Sequence, residues 1–485
     1  MNPPSQETDT LCFTAAVDLA AAIRRRELSP VELMSAFVQR IERLEPRINA
    51  FVTLRAEEAM EEARAAEAAL MRTPADRLPA LHGVPVTVKD LEDTAGIRTT
   101  YGSQVFADHV PESDAPIWAR LKAHGAILLG KTTSPEFGLH SVTESLLTGV
   151  TNNPWDVSRT TGGSSGGAAA AVAAGFGPLA TGSDGGGSIR VPSALCGVVG
   201  LKPSPGRIPM GGEQGNYDTV TVVGPITRTV KDCAWMLGLV AGPDPYDAVS
   251  IQERPDDYLA GIADACVHGL RIAFCPDLRS GPVEAEVSRV VTAAVSRFER
   301  DLGARVDRID LELPDPYEYF LNFWGPAVAA LVQDKLLPYA DPQQIPAVVR
   351  TLADRGAGID LLTYVRTQTD VRTQIHNTFA KVFERYDLLV WPTTPCAAFK
   401  HPGPAGGPLE LDGIKTREPA MENQRFTEAI SHAGYPAITV PAGFTRDGLP
   451  VGLQIAAGHG RDLAVLRAAA AFEAISPWAG HRPPC

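Results

Sequence analysis

The chain has 485 residues, and its 44 Lys and Arg against 57 Asp and Glu give a net charge of −13. This acidic balance argues against a nucleic-acid partner, which would require a basic face, and against binding to an anionic membrane. The polar start of the chain carries no apolar signal core, and the seven cysteines form no CxxC pair, so we expect a cytoplasmic protein with reduced thiols and no bound metal.

The first part of the chain predicts two helices followed by a strand. Ser29 is a predicted helix N-cap, because a proline and a capping-box glutamate follow it, and Pro46 is expected to end that helix. A second helix is predicted over 56–71, where Ala and Glu dominate. Apolar residues then alternate with other residues over 84–89, which is the spacing of a strand.

The rest of the chain alternates in the same way. Strands are predicted at 127–129, 271–274, 388–391, 437–440 and 452–455, and helices at 168–174, 283–302, 461–474 and across most of 325–386. Strands that alternate with helices along the whole length predict the α/β class. With no internal repeat and no clean linker, one large domain over 1–485 is the more economical prediction.

Glycine and serine are concentrated between positions 162 and 188. Ten glycines fall within 162–187, mainly in the clusters GGSSGG at 162–167 and DGGGS at 184–188. Three consecutive glycines before Ser188 can direct several backbone N–H groups at one small volume, which suits a developing oxyanion. The alternative is a pair of flexible turns around an Ala-rich helix. The block carries almost no charge and adjoins apolar runs, which favours a buried position.

These clusters, with others in order along the chain, resemble the amidase signature hydrolases. The other matching runs include GVP at 83–85, KD at 89–90, GSDGGGSIR at 182–190, PTTP at 392–395 and GLPVGLQ at 448–454. The resemblance spans about 15–475. It implies a single α/β/α fold with a central mixed β-sheet flanked by helices. Within it we expect a signature core at about 80–235, a variable, mostly helical region at about 245–385, and closing strands and a helix at about 386–475.

The resemblance also implies a Ser–Ser–Lys catalytic triad. Ser188 matches the nucleophile, Ser164 matches a bridging serine that follows a cis peptide bond, and Lys89 matches the base. The residues that match the backbone oxyanion hole are Gly185, Gly186, Gly187 and Ser188. Gly185 departs from the family, whose members usually carry Thr, Ile or Ala there, and this change either loosens the hole or widens the pocket.

The chemistry of these residue types agrees with that assignment. A serine hydroxyl is a weak nucleophile that needs a base, and a lysine can act as one only when burial keeps it neutral. The alternative for Lys89 is a surface residue paired with Asp90 or Glu92. Asp184 and Arg190 are expected to form a structural ion pair. Ser165 is a predicted N-cap of the Ala-rich helix with a secondary role in proton relay.

The substrate pocket is expected to lie beside the first serine cluster. Its predicted lining residues are Phe137, Gly138, Leu139, His140, Ser165 and Arg207. Phe320, Phe323 and Trp324 form either a hydrophobic acyl or aryl wall or a part of the core. Since no strongly charged pocket is evident, we expect a small neutral amide as substrate. Carbamates (urethanes) and esters are alternatives on the same acyl-enzyme path. No cofactor is expected, and a homodimer is left open.

Three other functions compete with this interpretation. Residues 125–132 match the P-loop pattern GxxxxGK[ST], but the apolar strand lies inside the supposed loop and a proline follows at once, which argues against an NTPase. The family also includes the A-type component of a tRNA-dependent amidotransferase, but the chain lacks the Arg-Tyr-Asp-Gly run associated with that protein. An inactive pseudoenzyme is disfavoured because all three triad residues are present.

Overall fold

The computed structural model describes residues 6–211 and 217–485. Its centre is a mixed sheet of eleven strands in the order β1-β3-β2-β8-β10-β9-β16-β17-β13-β11-β12, with helices packed on it. The strands of the described residues are β1 Phe51–Leu54, β2 Pro85–Lys89, β3 Ile127–Thr132, β4 Glu144–Ser145, β5 Gly149–Val150, β6 Asn152–Asn153, β7 Asp156–Thr160, β8 Leu179–Asp184, β9 Val199–Lys202, β10 Val222–Thr227, β11 Arg271–Phe274, β12 Arg305–Arg308, β13 Leu388–Pro392, β14 Glu410–Leu411, β15 Ile414–Lys415, β16 Ala437–Phe444 and β17 Pro450–Ala457. The predicted α/β fold with a central mixed sheet is confirmed.

Seventeen α-helices in the described part of the chain surround or connect these strands. They are α1 Gln6–Phe13, α2 Ala16–Arg24, α3 Pro30–Ile48, α4 Ala56–Leu70, α5 Pro116–Ala123, α6 Gly166–Ala173, α7 Arg190–Cys196, α8 Val230–Val240, α9 Tyr258–Gly261, α10 Ala285–Arg300, α11 Pro316–Ala330, α12 Ala347–Ala357, α13 Leu361–Arg366, α14 Arg372–Phe383, α15 Pro419–Glu422, α16 Glu428–Ala433 and α17 Asp462–Ile475. None of the described helices is long and apolar enough to cross a membrane.

Strand directions divide the sheet into parallel and antiparallel parts. Strand β2 pairs in parallel with β3 and β8, and β11 pairs in parallel with β12 and β13. The intervening pairs, which include β8 with β10 and β16 with β17, are antiparallel. The parallel group at β2 and β8 brings the ends of two buried strands together, and the candidate site lies at these ends.

The first long helix begins where the sequence predicts but ends later. Ser29 caps α3 by accepting hydrogen bonds from the backbone N–H groups of the second and third helical residues at 3.0 and 3.2 Å. The prediction that Pro46 ends the helix is wrong, because the helix continues to Ile48 and ends at Asn49, which is left-handed with φ 58°. Proline cannot donate the backbone hydrogen bond of the helix. Because Pro46 lies in the last turn, only two helical residues follow this missing bond.

Strand alternation decides which way Lys89 points. Val84, Val86 and Val88 are fully buried in the largest hydrophobic cluster. Because successive side chains of a strand point to opposite faces of the sheet, Lys89 lies on the other face of β2. All five residues of β2 are buried, since helices or loops cover both faces of the sheet here.

The second half adds a helical region between two sheet strands. Helices α11 to α14 follow one another between β12 and β13, and π-helical turns at Leu331–Leu336 and Thr367–Val371 interrupt them. The largest contact within this region joins α11 with α12, where Gly325 and Gly356 allow the two backbones to approach closely. Residues of α11 and α12 reach the candidate site described below.

Candidate active site

The loop from β8 to α7 carries Ser188 and is held by a buried ion pair. The Asp184 carboxylate accepts hydrogen bonds from two guanidinium nitrogens of Arg190 at 2.9 and 2.8 Å, and neither side chain is exposed to solvent. Burial opposes ionisation of Asp184, but the Arg190 charge and its hydrogen bonds hold the pKa of that carboxyl below its usual value. The predicted structural ion pair is therefore present, and it joins the last residue of β8 to the first residue of α7, on either side of the loop.

The glycines of this loop leave room for neighbouring groups. Gly187 has φ 131°, which favours glycine, and a side chain there would clash with the hydroxyl of Thr427. That hydroxyl donates a hydrogen bond to the Gly186 carbonyl oxygen at 2.6 Å. This contact fixes the carbonyl on one side of the loop, and Ser188 and Gly186 both line the cavity described below.

The first serine cluster packs directly against this loop. The peptide bond between Gly163 and Ser164 is cis, as the family resemblance implies. The next residue, Ser165, donates its backbone N–H to the Ser188 carbonyl at 3.0 Å. Ser165 precedes α6 as predicted, but its side chain makes no capping hydrogen bond; its hydroxyl donates to the Ser183 carbonyl at 3.3 Å. The two serine clusters thus meet through the backbone.

Lys89 reaches the first serine cluster from the end of β2. Its Nζ lies 2.7 Å from Ser164 Oγ and 2.9 Å from Ser183 Oγ, and its side chain is fully buried. Burial lowers the pKa of the Lys89 ammonium below the ordinary lysine value, although the charges of Glu92 and Asp184 oppose this shift. This burial excludes the alternative of a surface position for Lys89.

Two further polar residues lie beside Lys89: Ser183, which sequence reasoning missed, and Glu92, one of the two carboxylates considered as its partner at a surface position. Ser183 is the second hydrogen-bond partner of the amine, and it belongs to β8, which pairs in parallel with β2. The buried Glu92 accepts a hydrogen bond from Thr181, and burial raises the pKa of its carboxyl. The sequence signal that could have indicated Ser183 is its position as a polar residue near the end of β8, the strand adjacent to that of Lys89.

Ser164, Ser183 and Ser188 open into one cavity of about 540 Å³, a size typical of small-molecule sites. Four of the predicted pocket residues line it: Phe137, Gly138, Leu139 and His140. Much of the remaining wall is apolar, with Ile117, Met210, Val223, Phe320, Leu321, Trp324, Leu352 and Met421. The predicted hydrophobic wall is thus present for Phe320 and Trp324, whereas Phe323 lies outside the cavity lining.

Two predicted pocket residues lie elsewhere. Arg207 is not part of the cavity lining, because its guanidinium donates a hydrogen bond to the Asp462 carboxylate at 3.0 Å and to the Gly460 carbonyl at 3.2 Å. Ser165 is fully buried behind the cavity wall. Charged residues that the sequence did not indicate do line the cavity, among them Arg355 and Glu418, whose side chains are partly exposed and 3.7 Å apart.

The stretch that matches the P-loop pattern is a sheet strand. Its lysine, Lys131, lies within β3 and is fully buried. The Lys131 amine donates hydrogen bonds to the Glu92 carbonyl and the Thr99 hydroxyl at 2.6 and 2.7 Å. A P-loop lysine instead follows a strand and reaches a phosphate from a loop, so this arrangement excludes the NTPase alternative.

Comparisons with known proteins identify the family of the chain. A family model described as Amidase matches residues 32–466. An acylamidase of Rhodococcus erythropolis is 41% identical over 478 residues, which cover 98% of either chain. The A-type component of the glutamyl-tRNA(Gln) amidotransferase of Moorella thermoacetica is 37% identical, over 98% of this chain and 99% of that one.

Solved structures show the same likeness. A bacterial aryl acylamidase of the amidase signature family superimposes with a TM-score of 0.88 at 30% identity, over 97% of this chain and 99% of that chain. A 6-aminohexanoate cyclic dimer hydrolase in complex with its substrate gives a TM-score of 0.85 at 27% identity, over 98% and 99%. The chain therefore belongs to the amidase signature family and is a hydrolase that acts on carbon–nitrogen bonds.

Proposed function

We propose that the protein is a serine amidohydrolase that cleaves small neutral amides through an acyl-enzyme, with Ser188 as nucleophile, Ser164 as proton relay and Lys89 as base. The observation that carries this proposal is the hydrogen bond of 2.7 Å between the fully buried Lys89 amine and Ser164, beside the cavity that Ser188 lines. A buried amine with a lowered pKa is able to accept a proton near neutral pH.

The first half-reaction forms the acyl-enzyme. Ser188 Oγ attacks the carbonyl carbon while its proton passes to Ser164 Oγ, and the Ser164 proton passes to Lys89. The carbonyl oxygen becomes an oxyanion, and we assign its stabilisation to the backbone N–H groups of 185–188. When the intermediate collapses, the carbon–nitrogen bond breaks and the proton returns from Lys89 through Ser164 to the departing amine.

The second half-reaction repeats these transfers with water. Water gives one proton to the relay and attacks the acyl carbon, and the bond to Ser188 Oγ breaks as that oxygen recovers a proton. The products are a carboxylic acid and an amine. Metal ions take no part in any of these transfers, since the lysine supplies the base and the backbone stabilises the oxyanion.

The cavity wall supports a neutral, largely apolar substrate. Phe137, Leu139, Phe320 and Trp324 contribute apolar surface, and such a wall favours acyl or aryl groups over ions. Anilides are the class we favour, in keeping with the relative and the solved structure that are an acylamidase and an aryl acylamidase. Carbamates and esters are the alternative substrates, because their carbonyl groups allow the same acyl transfer.

A role as the A-type component of an amidotransferase is the second candidate, which the relatives of that name favour. Such a component works within a complex and is expected to depend on its partners. An amidohydrolase of small amides is instead expected to be active as the purified chain alone. The homodimer left open by the sequence does not affect this distinction, because both states contain only this chain.

The proposal is tested with matched p-nitroanilides, carbamates and esters and the purified chain alone. We expect anilide hydrolysis, its loss by several orders of magnitude in Ser188→Ala, and labelling of Ser188 by a phosphonofluoridate. Ser165→Ala is the control and should still be labelled. Labelling at Ser165 in place of Ser188, or activity only in the presence of partner proteins, would overturn the proposal.

A further inference from the structure

Gly185 and the indole ring of Trp324 lie against each other in the wall of the cavity. Gly185 is not among the glycines with positive φ, so its backbone does not require a glycine. A Cβ at this position would lie 3.0 Å from Cη2 and 3.1 Å from Cζ2 of Trp324. These separations are shorter than ordinary van der Waals contact, so the missing side chain leaves the space that the indole ring occupies.

Trp324 is held in that space by groups behind the cavity. Its Nε1 donates a hydrogen bond of 2.9 Å to Glu428 Oε1, and His432 Nε2 lies 2.9 Å from the same oxygen. The Phe323 ring packs edge-on against the indole with centroids 4.8 Å apart. A tryptophan with its N–H bonded and its ring packed has few alternative rotamers, so this wall of the cavity is fixed.

The same carboxylate touches the loop that carries Ser188. A side chain at Gly186 would clash with Glu428 Oε2. Glu428 is fully buried, and its second oxygen has no hydrogen-bond partner among the described residues. Glu428 therefore contacts the cavity wall with one oxygen and the glycine loop with the other.

We propose that Trp324, in the space left by Gly185, sets the size of the substrate group accepted beside the oxyanion loop, and that Glu428 is the positioning residue that holds this wall in register with the loop. The inference rests on the proposed function and adds its specificity determinant. A rigid ring next to the reacting carbonyl admits flat or unbranched groups and rejects branched ones. One extra or missing methylene in a hydrophobic pocket changes kcat/KM by about 10–200-fold.

A double-mutant cycle tests the wall. Gly185→Ala should place a methyl group too close to the indole, so that the ring or the loop must shift, and should lower kcat/KM for bulky substrates relative to small ones by about tenfold or more. Phenylalanine lacks the two indole atoms that an alanine Cβ would meet, so Trp324→Phe should relieve the effect. In the double variant the ratio should return toward that of Trp324→Phe alone.

The ratio is measured in two substrate series. One varies the acyl group of a p-nitroanilide from acetyl through isobutyryl to pivaloyl, and the other varies the amine of an acetamide. Non-additive effects in either series support the inference and identify the side of the carbonyl that meets Trp324. Effects of Gly185→Ala and Trp324→Phe that multiply independently in both series would overturn it.

The role of Glu428 is tested with the ratio of kcat/KM for bulky and small substrates, because a loss of stability alone does not change this ratio. Glu428→Gln keeps an oxygen that accepts the indole N–H, whereas Glu428→Ala removes it, so the size ratio should change in the alanine variant and recover in the glutamine variant. Tyr319→Phe is the matched control and should leave the size ratio as in wild type. The Tyr319 ring packs against His432, and its buried hydroxyl has no hydrogen-bond partner among the described residues. A size ratio identical in Glu428→Ala and wild type would refute the positioning role.

Failure of this inference is distinguishable from failure of the proposed function. If Ser188→Ala retains anilide hydrolysis, the proposed function itself is wrong. If hydrolysis depends on Ser188 but the cycle at positions 185 and 324 is additive, only the assignment of the wall is wrong.

Discussion

Replacing Lys89 by methionine removes the amine and keeps an unbranched side chain of similar length. The wild-type amine bonds Ser164 and Ser183 at 2.7 and 2.9 Å. If Lys89 is the base, its loss should lower kcat/KM for an anilide by about 10²–10⁴-fold, which corresponds to about 3–5 kcal/mol in the barrier. An activated ester of the same acid should lose much less, because its leaving group departs without a proton.

The fold should tolerate this change better than the reaction does. Two hydrogen bonds are lost, each worth about 1 kcal/mol net, but the cost of burying an amine is lost with them. We therefore expect the free energy of unfolding to change by no more than about 2 kcal/mol, as measured by urea denaturation. A large drop in anilide turnover with a small drop in stability is the expected signature.

The pH dependence of kcat/KM and of stability provides a second test with Lys89→Met. Protonation of Lys89 should produce an acid limb in kcat/KM, and burial should place this limb well below the ordinary lysine pKa. Between the folded and the unfolded pKa of Lys89 the unfolded chain binds the additional proton, so this lysine makes stability rise with pH in that window. Lys89→Met should lose both the acid limb and this contribution.

Lys202 offers a matched control for these measurements. It is also fully buried, and burial lowers its pKa to about 7, but it lies outside the cavity lining. Lys202→Met should leave the ratio of anilide to ester activity as in wild type. If Lys89→Met reduces both substrates by one small factor and keeps the acid limb, the reasoning about the base is refuted.

Three further outcomes follow from the structure. Gly187→Ala should lower kcat for an anilide by about 10²-fold or more in a folded protein, because φ 131° and the clash with Thr427 would deform the loop that carries Ser188 and the proposed oxyanion hole; an unchanged kcat would contradict this proposed role of the loop. Burial raises the pKa of Glu136 to about 8, so its cost to stability grows as pH rises from about 4.5 to 8. Glu136→Gln should therefore raise the Tm above pH 8 and leave it unchanged below pH 4, and an equal gain at both pH values would count against this. Activity should survive prolonged treatment with EDTA, whereas loss on chelation with recovery on adding zinc would point to a different reaction chemistry.

The central strands and the meeting of Lys89 with Ser164 were predictable from sequence. A strand whose alternate residues are valines places its remaining residues on the other face, and the family resemblance indicated which serine that face would meet. Ser183 was missed because the alternation of residues within one strand does not show which strand pairs with it. Its contact with Lys89 exists only because β8 pairs with β2 across 94 positions.

The cavity wall was less predictable, because its contacts join residues that are far apart in the chain. Trp324 bonds Glu428 across 104 positions, and no local spacing indicates that pair. Arg207 was predicted to line the pocket, but its charge is satisfied by Asp462, which lies 255 positions away. Buried charges find partners by tertiary packing, and one sequence alone does not show which partner is nearest.

The placement of α11 to α14 between two sheet strands separates the parts of the chain that face a substrate. The proposed reacting groups all lie between positions 89 and 188, at the end of a strand and in the two glycine-rich loops. Much of the apolar wall instead comes from α11 and α12. Substitutions over 316–357 are therefore open to selection for a new substrate while the proton transfers stay unchanged. A mutagenesis library confined to that segment should yield shifted substrate profiles more often than inactive clones, and one confined to 162–190 should do the reverse.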